Sequence, residues 1–427
     1  MASKKSDIHI QPESGSQPSN TASRSKSNLD IASRRTFLQA AGLGAAAIGL
    51  GKSAFAEEKE KTIQGFEKAQ RDANTSKGWE PVSDRKIRVG IVGYGVCKFG
   101  AAFSFQDHPN VEVVAVSDLF PDRCADLAKA CRCSKTYPSL EELVKDDSIE
   151  AVFVATDAPS HARHCIEVLK HGKHVATAVP AVWGSLEDAE KLLETVKSTG
   201  LKYMMFETSA FHADCYAMRQ IYKAGGFGKL IYSEGEYYHF LDSPIDSYKG
   251  WRTGSIPLWY PTHSTAYYVS VTEKPFVSVS CTGSNCGLPD WQPEKNQYKN
   301  RFTDQIALFE TAEGGASRML MCIGVRDKGD ETGRVFGEQG WMIGTEYHGA
   351  MTDLPDISRP PLPPSVDPGS HGGSHGYLTN EFVHAILQDR KPMVDIIQAL
   401  NMTVCGIIAN DSAVRDGERL KVPQYTL

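Results

Sequence analysis

The middle of the chain reads as short apolar strands alternating with half-apolar helices. Residues 86–92, Lys-Ile-Arg-Val-Gly-Ile-Val, form a strand that runs into Gly93-Tyr94-Gly95 and then into a helix over 99–105. A second strand spans 111–118 and ends in Asp118, and a helix follows over 122–131. Further on come a strand at 151–156, a helix at 161–171 and a strand at 174–177. Strand–helix alternation at such short spacing is the pattern of a parallel, doubly wound sheet. Downstream the period changes. Segments 230–238, 277–282, 305–310 and 316–323 alternate roughly by two, the pattern of strands in an antiparallel sheet. Residues 291–301 are polar and aromatic and read as a surface loop, while 378–388 and 399–414 read as helices.

The first 33 residues carry no such pattern. They are rich in Ser, Lys, Asn and Gln and hold too few large apolar residues to build a core. Ser33-Arg34-Arg35-Thr36-Phe37-Leu38 follows, then a small-residue apolar run over 40–51, then Ala54-Phe55-Ala56. A basic region, a short apolar run and an A-x-A site are the three parts of a secretory signal, and the arginine pair marks the twin-arginine route. The apolar run is too short to cross about 30 Å of hydrocarbon, so it reads as a cleaved signal, not an anchor. That route moves folded proteins, so an exported chain can keep a bound cofactor. We expect a periplasmic or otherwise exported protein, off the membrane once the signal is removed.

The charge divides at the same place. The chain of 427 residues has a formal net charge of −6, but residues 1–56 hold seven basic against three acidic side chains, leaving −10 on the remainder. An acidic mature chain argues against a nucleic-acid partner. The organisation expected is a signal at 1–56, an arm at 57–84, a first domain at 85–207 and a second at 208–427. All ten cysteines fall between Cys97 and Cys405. An oxidising compartment permits disulfides. No paired CxxC spacing indicates zinc, and Cys124 and Cys165, in apolar helical surroundings, read as buried thiols.

Gly93 and Gly95 stand where a strand-to-helix turn must let backbone approach a pyrophosphate. Asp118 ends the next strand, where a carboxylate suits a ribose 2′-hydroxyl and repels a 2′-phosphate, favouring NAD over NADP. The third glycine of G-x-G-x-x-G is replaced by Lys98, with Gly100 two residues later.

The segments VGIVGYG, VEVVAVSD, YPSLEELVKDDSIEAVFVAT and HCIEVLKHGKHV resemble the Gfo/Idh/MocA oxidoreductases, named for glucose-fructose oxidoreductase and inositol dehydrogenase. The resemblance runs through nearly all of 86–427. It implies an N-terminal Rossmann domain that binds NAD, followed by an α/β domain with a large, mostly antiparallel open sheet whose face makes a homo-oligomer. The family's Glu-Lys-Pro lysine, which helps move a proton at the substrate carbinol, is replaced by Val179 in Ala178-Val179-Pro180-Ala181. Valine cannot move a proton. The Val-Pro-Ala version is similar to NAD-dependent glycoside hydrolases of family 109, as are Met204-Met205-Phe206-Glu207, Glu234–His239, Trp251-Arg252 and Tyr260-Pro261-Thr262-His263. The resemblance implies cofactor contacts from Tyr94, Thr156, His161 and Pro180, and substrate contacts from His239, Trp251, Arg252 and His371; Glu207 is read as a cofactor contact that orients the nicotinamide, with a sugar hydroxyl or an ordinary strand-end salt bridge as its alternatives. His161 also has a plain reading as a residue that opens a helix.

Oxidising a secondary alcohol needs a hydride acceptor and a base, and an imidazole serves as base near neutral pH. The resemblance places His263 beside the nicotinamide, with Tyr260 three residues earlier. Tyr237 and His239 lie two apart on one strand and share a face; Tyr237 and Tyr260 join His263 as catalytic candidates, while His239 also has a plain reading as a residue that caps a strand end or fills a polar gap. His371 and His375 in GSHGGSHG raise a metal reading, but no carboxylate completes an H-E-x-x-H pattern, so no metal is expected. These features point to an exported NAD-dependent enzyme acting on a sugar or glycoside, with elimination assisted by oxidation and return of the hydride. A plain sugar or polyol dehydrogenase, a sugar–sugar oxidoreductase with tightly held cofactor, and an inactive sugar- or nucleotide-binding protein are the alternatives.

Overall fold

The computed structural model describes residues 67, 69, 72 and 74–427. The signal expected at 1–56 and most of the arm lie outside them.

Six short strands build the first sheet: β1 (Ile87–Val92), β2 (Val111–Ser117), β3 (Thr136–Tyr137), β4 (Ala151–Val154), β5 (His174–Thr177) and β6 (Tyr203–Met205). All pairs are parallel, in the order β3-β2-β1-β4-β5-β6. β4 is apolar throughout because helices cover both faces and bury every residue of it. The chain crosses between strands through Pro121–Ala130, His161–Lys170 and Leu186–Thr199.

The helix expected over 99–105 is shorter than its pattern. It spans Phe99–Ala102, and Ser104 adopts a left-handed backbone before a 3-10 turn at Phe105–Asp107. The break turns Phe105 inward, where it joins Phe153 and Phe206 at ring separations of 5.1 and 5.8 Å. Burial of two aromatic faces outweighs one more helical turn.

Eight strands form the second sheet: β7 (Leu230–His239), β8 (Phe276–Ser284), β9 (Asp304–Thr311), β10 (Ala316–Cys322), β11 (Gly329–Gly337), β12 (Gly340–Ile343), β13 (Glu346–Gly349) and β14 (Leu420–Lys421). Their order is β13-β12-β11-β7-β10-β9-β8-β14, antiparallel except where β10 meets β7. Helix Thr262–Thr272 lies against one face and is buried on all sides. It sits close because Gly235 and Gly333 face one another across β7 and β11. A Cβ on Gly235 would overlap the Ser264 carbonyl, and one on Gly333 the Tyr267 ring.

Two C-terminal helices return to the first sheet. In His375–Leu387, the His375 ring stacks 4.1 Å from Phe103, and Thr379 Oγ1 donates to the Phe103 carbonyl at 2.6 Å. Ile396–Val414 packs between the sheets, and its Thr403 Oγ1 accepts from the Ala181 amide at 3.4 Å. The first of these helices begins three residues earlier than its pattern implied, inside the glycine-rich run.

The segment 291–301 is not the surface loop its composition implied. Trp291 is fully buried, its Nε1 donating to the Ser255 carbonyl at 3.1 Å. Buried Asn296 and Asn300 amides satisfy the surrounding carbonyls. One buried indole repays the ordering of a polar loop when its N–H finds a partner. All ten cysteines are free thiols, with Cys124 and Cys165 buried.

Candidate active site

The site has two adjoining parts. An outer cleft runs over the C-terminal ends of the parallel strands, the place where doubly wound sheets bind ligands. Gly93, Gly95, Asp118 and Thr156 all line it. Gly93 has φ +103, and a Cβ there would strike the Ala155 carbonyl. Gly100 performs the close-packing task of the missing third glycine, since a Cβ there would strike the Gly93 carbonyl. Lys98 is accommodated by a left-handed backbone that lengthens the loop by two residues. Gly95 has open space where a side chain would stand.

Asp118 is held in place by two backbone donors. Its Oδ2 accepts from the Tyr94 N–H at 2.7 Å and its Oδ1 from the Phe120 N–H at 2.9 Å. Each oxygen keeps a lone pair toward the cleft. Tyr94 therefore contributes through its backbone, by fixing Asp118. A glycine turn open to the cleft with a carboxylate at the next strand end fits the ribose and pyrophosphate of NAD.

His161 and Pro180 play another part than the contacts implied for them. The His161 ring is buried and lies 2.8 Å from the Pro180 carbonyl and 3.1 Å from that of Thr156. It bolts the Val-Pro-Ala segment to the cleft wall and is absent from the lining, because burial leaves it no open face.

The inner pocket adjoins the cleft and shares Cys97, Phe99, Trp251 and Arg252 with it. Tyr237, His239, Tyr260, His263 and His371 all line it. Val179 lines it too, an inert side chain where the resemblance expects lysine. The strand alternation that puts Tyr237 and His239 on one face brings their rings to 5.7 Å, and Tyr237 packs 4.7 Å from His263. Tyr260 precedes the helix that carries His263, yet its ring still lies 5.6 Å from the imidazole. His371 and His375 bond to each other at 3.0 Å, ring nitrogen to ring nitrogen.

Glu207 is not at the cofactor cleft. It is fully buried beneath His263, its Oε1 accepting from the His263 Nδ1–H at 2.8 Å. Glu331 adds a second carboxylate at 3.6 Å. Burial opposes charge on His263, but Glu207 and Glu331 overcome it and raise the imidazole to about 9. Burial likewise opposes charge on Glu207 and Glu331, and the imidazolium of His263 holds both below the usual carboxylate range. At neutral pH, then, His263 carries two protons, with Nε2 left for a bound molecule. An imidazole in that state suits a proton donor better than the base expected of it.

His239 is shifted the other way. Burial and then the nearby Arg252 charge lower it to about 4, and its buried Nδ1 has no hydrogen-bond partner. One pocket thus holds a neutral imidazole and a protonated one.

Glu331 and Trp183 were not legible as site residues. Glu331 lies in the polar run Asp327–Arg334, and only the pairing of β11 with β7 sets it opposite Tyr237. Trp183 stands 5.1 Å from Trp251 and 5.7 Å from Trp259, forming an aromatic wall on the pocket.

Comparison with known proteins agrees with this geometry. Residues 87–207 match the oxidoreductase family model with an NAD-binding Rossmann fold. A glycosyl hydrolase family 109 protein of Bacteroides fragilis is 30% identical over 176 residues, covering 39% of this chain and 38% of that relative's length. A family 109 protein of Solibacter usitatus is 23% identical over 93% of this chain and 98% of its own. A myo-inositol dehydrogenase of Lactobacillus casei, solved with NAD(H) and myo-inositol, superposes with a TM-score of 0.61 at 16% identity, covering 80% of this chain and 98% of that one. Residues 87–207 thus match the Gfo/Idh/MocA oxidoreductase family model, and family 109 glycosyl hydrolases are among the chain's relatives, although the chain matches well under half the length of several of them.

Proposed function

We propose that the protein is an exported, NAD-dependent enzyme that acts on a sugar or glycoside at a ring carbinol and cleaves the glycosidic bond by oxidation-assisted elimination. What carries the reading is the continuity of the two cavities. A dinucleotide cleft with Gly93, Gly95 and Asp118 opens directly onto a pocket with paired imidazoles and aromatic walls. NAD bound in the cleft supplies a hydride acceptor for the carbinol and returns the hydride after cleavage.

The carbinol O–H proton passes to water in the oxidation and comes back from water when the hydride is returned; the chain's own groups handle the two protons of the elimination. Once the carbinol is a ketone, the neighbouring C–H is acidified. His239, held neutral and lining the pocket, takes that proton. His263 gives its Nε2 proton to the departing glycosidic oxygen. Water then adds across the double bond left by elimination: its hydroxyl bonds to the anomeric carbon, its proton goes to His263, and His239 gives its proton to the neighbouring carbon, so both imidazoles return to their starting state. Trp183, Trp251 and Tyr260 present flat apolar faces to the C–H side of a sugar ring and keep bulk water out. The buried carboxylates Glu207 and Glu331 keep His263 charged until it is needed. No pair of pocket carboxylates of the usual hydrolase kind takes part.

Two measurements test this reading. Native mass spectrometry should find NAD bound, or bound after saturation; failure to bind it sinks every redox version. A glycoside deuterated at the carbon beside the oxidised carbinol should lose deuterium to water during turnover. Cleavage with full retention would rule out elimination. Oxidation of the same substrate with NADH release and no cleavage would favour a plain dehydrogenase. Export is tested separately: Arg34→Lys with Arg35→Lys should leave the protein uncleaved inside the cell.

A further inference from the structure

The lining of the inner pocket offers cationic donors and no carboxylate. No Asp or Glu is among the residues that line it. Two cationic side chains are, Arg252 and His263. The two nearest carboxylates known to act on His263, Glu207 and Glu331, lie behind the imidazole and are engaged by it.

Arg252 and Arg123 stand apart from the other partly buried arginines, and of the two only Arg252 lines the inner pocket. Arg219 faces Glu273, Arg318 faces Glu234 and Glu236, and Arg390 grips Glu381 through both guanidinium nitrogens. Arg359 spends its donors on three backbone carbonyls. Arg252, among the described residues, has no carboxylate within 4.0 Å. Its guanidinium lies 4.2 Å over the Trp251 ring, and its one side-chain hydrogen bond is a weak contact of 3.9 Å to Cys97 Sγ. Stacking fixes the plane and leaves the fork of donors open. A guanidinium drawn out of water without a counterion is costly unless an anion arrives to meet it. The fork matches a carboxylate, two N–H groups to two oxygens. The charge is also felt across the pocket, since it helps push His239 down.

We propose that the substrate is an acidic sugar, a uronate or its glycoside, and that Arg252 takes its carboxylate while the aromatic wall holds the ring. This rests on the proposed action on a sugar and narrows it to one class. The same guanidinium also borders the outer cleft, so the pyrophosphate of the cofactor is the competing anion.

Calorimetry on NAD-loaded protein separates these. The probes are the methyl α- and β-glycosides of glucuronate and galacturonate, each against the matching glucoside or galactoside. A charge-assisted pair predicts a preference of roughly 10- to 100-fold for at least one uronate. Arg252→Gln should abolish that preference, Arg252→Lys should restore part of it, and NAD affinity should stay within about twofold of wild type in both. A hexoside bound as tightly as its uronate overturns the inference and leaves the action on sugars standing. A lowered NAD affinity in Arg252→Gln, with the sugar preference intact, assigns the guanidinium to pyrophosphate and also overturns it. Binding of neither sugar class overturns both this and the function it rests on.

Discussion

At the scale of single residues, His263 decides how the site responds to pH. Its folded pKa, about 9, lies above the ordinary imidazole value of 6.5. The stability this shift contributes is therefore complete below 6.5 and is lost as pH rises through 9. If the imidazolium is the proton donor, cleavage should fall on the alkaline side with an apparent pKa near 9. Glu331→Gln removes one of the two carboxylates that hold the proton, so its alkaline limb should move down by about one unit or more. An unmoved limb in that variant, measured as kcat/KM against pH, would remove Glu331 from the account. Asp118 gives a second test. With its carboxylate replaced in Asp118→Ala, the preference for NAD over NADP should shrink by at least about 30-fold, since both a ribose hydrogen bond and a phosphate repulsion are lost. An unchanged ratio of kcat/KM for the two cofactors would contradict that placement.

At the scale of elements, the position of His263 depends on how closely its helix lies on the sheet. Gly235 and Gly333 leave the gap that Ser264 and Tyr267 fill. Gly235→Ala should lift helix Thr262–Thr272 and cost about 1–3 kcal/mol of stability through overpacking. Because displacements near 1 Å at a catalytic group cost on the order of 100-fold, kcat should fall far more than the melting temperature implies. Wild-type kcat in a stable Gly235→Ala protein would show that the seat does not position the histidine. This pair explains a good deal of what was legible in the chain. Strands β1, β2, β4, β5 and β7–β10 follow from local apolar runs or alternation, whereas β3, β6 and β11–β14 are too short or too polar to show one; the glycine turn, Asp118 and the Tyr260–His263 motif lie in contiguous sequence. The Gly235–Gly333 seat, Glu331 behind His263 and the return of 375–403 to the first sheet arise from pairings of residues from 68 to 276 positions apart. Local pattern carries no trace of them. Trp291 and Phe105 misled for a related reason: a polar or helical neighbourhood says little about a ring that finds a distant core.

At the scale of the whole molecule, the two faces of the second sheet differ in kind. The inner face carries Tyr237 and His239 and is closed by helix Thr262–Thr272. Strand alternation turns Ile306, Leu308, Trp341 and Ile343 to the outer face, where they are 39%, 56%, 37% and 44% exposed. Between them runs a ladder of Glu234, Arg318, Glu236 and Arg334, each paired with a neighbour of opposite sign. Internally neutral charge flanked by exposed large apolar side chains is a surface that a second sheet can cover at low desolvation cost. An open sheet of this breadth left bare would also invite nonspecific association. The face should therefore join copies of the chain, and light scattering should give a mass above that of one mature chain. Leu308→Glu places a charge in the centre of the apolar rim and should reduce that mass to a monomer. Because the pocket opens on the opposite face, the monomer should keep NAD binding within about twofold of wild type. A wild-type monomer, or an oligomer indifferent to Leu308→Glu, would assign the outer face to something other than self-association.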